Sequence, residues 1–105
     1  TVTVHGDGKG RRNQELALAA GLALDGWADV TVMALATDVT DGPTDAAGAI
    51  CDGQTILRAK QLRMEPLKYL EDNNSYNFFN KLNDLIITGP TNTNVMDIQI
   101  VLSYP

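Results

Sequence analysis

The segment Asp29 to Ala36 constrains this chain most. Its run Val-Thr-Val-Met-Ala-Leu-Ala is apolar almost throughout and predicts a strand buried on both faces, at the centre of a sheet. A strand of that kind needs neighbours and covering helices, and the flanking sequence offers both. Thr1 to His5 alternates like a strand and is ended by Gly6, Gly8 and Gly10. Arg12 to Leu24 alternates Leu and Ala and fits period two nearly as well as 3.6, but its Ala content and the pairs Leu16/Ala20/Leu24 and Leu18/Leu22 favour a helix, with Gly26 as a stop. After the central strand, Gly42-Pro43 turns the chain, and Thr44 can cap a short helix through Ile50. Asp52-Gly53 breaks the chain again, and Thr55 can cap a helix to about Met64. Pro66 opens a helical turn over Leu67 to Leu70, and Ser75 caps a helix carrying Tyr76, Phe78, Phe79 and Leu82. Leu85 to Thr88 and Asp97 to Tyr104 are strands, the latter with Ile98, Ile100 and Leu102 on one face.

This order predicts one α/β domain over residues 1–105, with helices packed on a mixed, partly parallel β-sheet. The last two strands are expected to be antiparallel neighbours, because a short loop joins them. Tyr76, Phe78 and Phe79 are expected in the core with Trp27. At 105 residues and 44% hydrophobic content, the chain can bury a core but cannot hold a second domain. A net charge of −5 argues against a surface that tracks nucleic-acid phosphates. Cys51, the only cysteine, is expected to be a buried thiol in a reducing compartment. No apolar run spans a bilayer and no signal segment opens the chain, so a soluble, cytoplasmic setting is expected. The strand-like first and last residues predict a piece of a longer polypeptide.

Three polar loops carry the candidate chemistry. The first holds Gly8, Lys9 and Gly10 and leads into a helix at Arg12 or Asn13, where unpaired amides and the dipole favour an anion. Arg12 and Arg11 can clamp a carboxylate or phosphate with paired hydrogen bonds, while Lys9 acts as a point charge. The second loop gathers Asp38, Asp41 and Asp45 with Thr37, Thr40 and Thr44. These are hard oxygen ligands suited to Mg²⁺, and one Asp could instead take a proton from a substrate hydroxyl. Asp41-Gly42-Pro43 is equally good turn chemistry, and Thr44-Asp45 a good helix start. The third loop, Gly89 to Val95, offers Thr91, Thr93 and Asn94 to a polyol or phosphate and is longer than a turn requires. His5, the sole histidine, has no nucleophile or cysteine partner that would make a triad or zinc site.

These segments resemble the MOFRL module, the C-terminal domain of the type II glycerate kinases, a family also named hydroxypyruvate reductase. The likeness covers nearly the whole chain. It runs through Gly8-Lys9-Gly10, Arg12-Asn13-Gln14-Glu15, Thr40-Asp41-Gly42-Pro43-Thr44-Asp45, Gly89-Pro90-Thr91, Thr93-Asn94-Val95 and Asp97, in that order. The resemblance implies Mg²⁺-assisted transfer of phosphate from ATP to D-glycerate, in a cleft shared with a larger N-terminal domain and inactive without it. It makes Arg12 the cleft arginine, supported by Lys9 and Asn13, with Asp38 and the Thr91 to Asn94 loop lining the same cleft. Arg11, Val39 and Asn92 stand where the family has glycine, and Met96 where it has a polar residue. Two other functions are open to these residues. One is nicotinamide-dependent reduction of hydroxypyruvate, although the glycine spacing is not that of a dinucleotide fingerprint. The other is a non-catalytic module that self-associates as a homodimer.

Overall fold

The computed structural model describes residues 12–36, 46–87 and 97–104. Its elements are α1 (Arg12–Ala23), β1 (Val30–Ala36), β2 (Gly48–Asp52), α2 (Thr55–Gln61), α3 (Pro66–Glu71), α4 (Ser75–Leu82), β3 (Leu85–Ile86) and β4 (Asp97–Ser103). The strands form a four-stranded sheet in the order β3-β2-β1-β4. Directly opposed residues share a face of a sheet. Val32 therefore points the same way as Cys51 and Val101, and Met33 the same way as Ile50 and Ile100. The helices cover the Val32 face, where Leu18 of α1, Ile56 and Ala59 of α2, and Phe78, Phe79 and Leu82 of α4 join Val32, Ala49 and Cys51 in one core. Phe78 and Phe79 meet edge to face at 5.1 Å, and Tyr69 meets Phe78 in the same manner at 5.6 Å.

Several expectations change. Every described strand pairing is antiparallel, so among the described residues the sheet is not partly parallel; the first expected strand, Thr1 to His5, lies outside them. β3 and β4 are not neighbours but lie at opposite edges of the described sheet. A short loop permits a hairpin without requiring one, and here β2 and β1 lie between the two. The segment expected as a helix through Ile50 is instead strand β2. Its Ala-rich sequence favours a helix locally, but Gly48 lets the backbone of β1 come close, and a Cβ there would lie 2.7 Å from the Leu35 Cα. β1 is central as expected but not buried on both faces, since Val32, Ala34 and Ala36 are buried while Thr31, Met33 and Leu35 are half-buried. Trp27 is 62% exposed and lies outside the aromatic cluster.

The helix caps also differ. Ser75 is the first residue of α4 rather than its cap, which is Asn74, and Thr55 likewise follows the cap Gln54 of α2. Asp52 does the capping work at α2, its Oδ1 accepting from the Gln54 N–H at 2.8 Å. Helix α2 stops at Gln61, short of Met64, because Arg63 turns left-handed at φ 62°. The Met64 N–H then bonds the Ala59 carbonyl and the Arg63 N–H that of Lys60. Asn73 ends α3 in the same way at φ 51°. Arg58 ties α2 to the end of α4, bonding Asp84 at 2.6 Å and the Leu82 carbonyl at 2.8 Å.

Cys51 is buried, as expected. Burial, and after it the carboxylates of Asp52 and Asp84, pushes its thiol up to about 12 from an ordinary 9.0. In the unfolded chain the thiol ionises near its ordinary value while the folded thiol stays protonated. Stability from this group is thus complete below that value and declines as pH rises towards about 12. A disulfide reagent at pH 8 should leave the native thiol unmodified and react at once in denaturant, and rapid native modification would refute this account.

Candidate functional site

The strand register brings the borders of two polar loops to one end of the sheet. Segment 37–45 begins after Ala36, which is paired with Asp97, the residue that follows segment 88–96. The other borders lie alongside, with the Ala36 N–H bonded to the Ala47 carbonyl at 3.0 Å and the Ala47 N–H to the Ile86 carbonyl at 2.7 Å. Gly48 is paired with both Leu35 and Ile86.

Helix α1 brings the third border to that end. It packs on β1 and β2 and joins β1 through the short connection 24–29, so it runs antiparallel to β1. Its later half lies at the opposite end of the sheet, where a Cβ on Gly21 would touch Cys51 at 3.5 Å and Thr55 at 3.6 Å. The first turn, carrying Arg12 and Asn13, therefore points towards the end from which segments 37–45 and 88–96 depart. Arg12 is exposed at the positive end of the helix, while Asn13, Gln14 and Glu15 are buried. Of the residues expected in the site, Arg12 and Asn13 are described; Gly8, Lys9, Gly10, Asp38, Asp41, Thr91, Thr93 and Asn94 lie outside the described residues, as do His5, Asp45, Arg11, Val39, Asn92 and Met96. Among the described residues no group of three His, Cys, Asp or Glu could hold a metal ion.

One arrangement at this end escapes sequence reasoning. The Glu15 carboxylate, 1% exposed, accepts a hydrogen bond from Asn73 Nδ2 at 2.8 Å and another from the Ser75 N–H at 3.1 Å. The second bond satisfies an amide that helix α4 cannot pair itself, so Glu15 caps α4 from another element. An acidic residue in the first turn of a helix reads as a partner for the dipole. Nothing local to Glu15 points to residues 58 and 60 positions away. A groove of about 500 Å³ lined by Leu22, Ile56, Lys60, Met64, Pro66 and Leu67 lies about 15 Å along α1 from Arg12, at the other end of the helix, and takes no part in this arrangement.

Known proteins match this chain closely. It is 52% identical over 101 residues to the D-glycerate 2-kinase of Thermotoga maritima, covering 96% of this chain and 24% of that protein. A crystal structure of the glycerate kinase of Thermotoga maritima superposes with a TM-score of 0.95 at 51% identity, over 99% of this chain and 25% of that one. A protein of Agrobacterium vitis carrying a hydroxypyruvate reductase name is 38% identical over 91% of this chain, which spans 22% of its length. The chain thus spans about a quarter of the length of the relatives it matches. Among the described residues no helix is long and apolar enough to cross a membrane. The MOFRL family model matches residues 1–97, and the chain belongs to the MOFRL family.

Proposed function

We propose that this chain contributes one wall of the active site of a larger cytoplasmic kinase that transfers phosphate from ATP to D-glycerate. The observation that carries this reading is the gathering, at one end of the sheet, of the first turn of α1 and the borders of segments 37–45 and 88–96. The relatives named for glycerate kinase support the substrate, and the 2-kinase name of the Thermotoga maritima relative points to the 2-hydroxyl. The larger, N-terminal part of the polypeptide supplies the facing wall.

In this mechanism Arg12, with Lys9 and the amides at the start of α1, grips an anionic group of the substrate or the phosphoryl group in flight. Asn13, Gly8 and Gly10 shape the same approach. Asp38 either accepts the proton of the attacking hydroxyl or, with Asp41, holds Mg²⁺. Thr91, Thr93 and Asn94 bond the substrate hydroxyls. ATP would supply the phosphoryl group, and Mg²⁺, held by these carboxylates, would offset its charge. The protein's part is positioning and charge stabilisation, which this kind of transfer mainly requires.

The test is a coupled assay on the full-length parent polypeptide with ATP, Mg²⁺ and D-glycerate. Formation of ADP that depends on glycerate is the expected result. Its absence, together with oxidation of NADH or NADPH by hydroxypyruvate, would replace the kinase reading with the reductase one.

A further inference from the structure

We propose that Glu15 and Asn73 are positioning residues that set the orientation of the first turn of α1, and with it the reach of Arg12. The inference rests on the reading of Arg12 as the cleft arginine.

The opening turn of a helix is its least constrained part, because its leading amides have no partner within the helix. In α1 this turn carries the arginine that must meet a ligand. Arg12 and Glu15 are three residues apart and so adjacent on the helix surface, yet Arg12 is exposed and Glu15 is buried. The two oxygens of the Glu15 carboxylate are divided between different partners. Oε1 takes the Asn73 side chain, from the left-handed residue that ends α3, and Oε2 takes the Ser75 N–H, the first amide of α4. Asn73 is itself 3% exposed, so the pair is shielded from competing water.

Two bonds from one planar group to two elements fix both the rotation of α1 and its height against the α3–α4 junction. An apolar residue at position 15 would fill the same space without setting either. A buried carboxylate is costly unless fully bonded, so its use here is better explained by orientation than by added stability.

The hydrogen bonds define a reciprocal test in the full-length parent enzyme. In E15Q, Asn73 can keep its bond only by turning its amide over to accept, and both bonds lose the charge of the carboxylate. In N73D, two carboxylates face each other. The double variant E15Q/N73D restores both bonds, since the amide nitrogen introduced at position 15 can donate to the carboxylate introduced at position 73, while the amide carbonyl accepts from the Ser75 N–H. The kcat for D-glycerate should fall about tenfold in E15Q and further, about a hundredfold, in N73D, and return to within about threefold of the parent in the double variant. R12K, which should retain measurable turnover, completes the test. If the clamp acts through residue 12, E15Q should cost R12K clearly less than it costs the parent.

A lower melting temperature in E15Q with kcat per folded molecule unchanged would overturn the proposal, as would a full tenfold loss in the R12K background. Failure of the double swap to recover kcat would also overturn it. If R12K and Arg12→Ala both turn over like the parent, the cleft-arginine reading falls first, and the proposal with it.

Discussion

An alanine at position 53 should prevent this domain from folding, at a cost of about 4 kcal/mol or more, in the range reserved for severe clashes. Gly53 is buried in the turn between β2 and α2, directly against the connection that follows α1. A Cβ built there would lie 2.7 Å from the Trp27 carbonyl carbon and closer still to its oxygen. These are backbone atoms and cannot swing aside as the tip of a side chain can. The Gly53 carbonyl also accepts the Gly26 N–H at 2.9 Å, so moving the turn would break a bond that holds α1 to the sheet. Two other glycines provide the scale. Gly26→Ala meets open space but must hold φ at 85°, which costs about 1 kcal/mol. Gly21→Ala sits inside α1 with ordinary contacts and should be neutral or stabilising by up to about 1 kcal/mol through helix propensity. Denaturant unfolding of the three variants should rank them in that order. A Gly53→Ala protein within about 1 kcal/mol of the parent would show that the α1–β1 connection and the β2–α2 turn are not in contact.

The same close approaches explain how far the sequence could be read. Periodicity located α4 and β4, with Phe78, Phe79 and Leu82 inward on α4; an almost unbroken apolar run located β1, and Ala content decided α1, whose buried face mixes Leu18 and Ala17 with Asn13, Gln14 and Glu15. It failed at β2. Ala46, Ala47 and Ala49 favour a helix by propensity, and the reason for a strand, a glycine admitting the β1 backbone, lies in a contact between distant residues. Strand order was also hidden, since alternation shows which residues share a face but not which strand lies next to which. The left-handed helix ends were not read from the sequence: Asn73 and Asn83 are of a type that tolerates that geometry, but Arg63 is not. In the candidate site the residue types of the polar loops are the basis for the expected chemistry, and the register accounts for the common location of the borders of segments 37–45 and 88–96. The Glu15 bonds to Asn73 and Ser75 could not be foreseen, because they depend on the packing of α1 against the α3–α4 junction.

Among single changes at described residues that leave the fold intact, removing the guanidinium of Arg12 should have the largest effect on activity. In the full-length enzyme, Arg12→Ala is expected to lower kcat/KM for D-glycerate by about 10²- to 10³-fold, the usual cost of losing one strong donor to developing charge. Arg12→Lys should lose less, about tenfold. It keeps the positive charge but gives up the planar fork that bonds two oxygens together. The split between kinetic constants identifies the group being held. A loss confined to KM would place the arginine on a part of the substrate that does not change during reaction, such as its carboxylate, and a loss in kcat would place it on the phosphoryl group in flight. Melting each variant beside the parent separates a loss of folding from a loss of the site. An Arg12→Ala enzyme that keeps kcat/KM within about threefold while melting like its parent would remove this arginine from the site. The anion would then have to be held by Lys9, by amides, or by groups from the rest of the polypeptide.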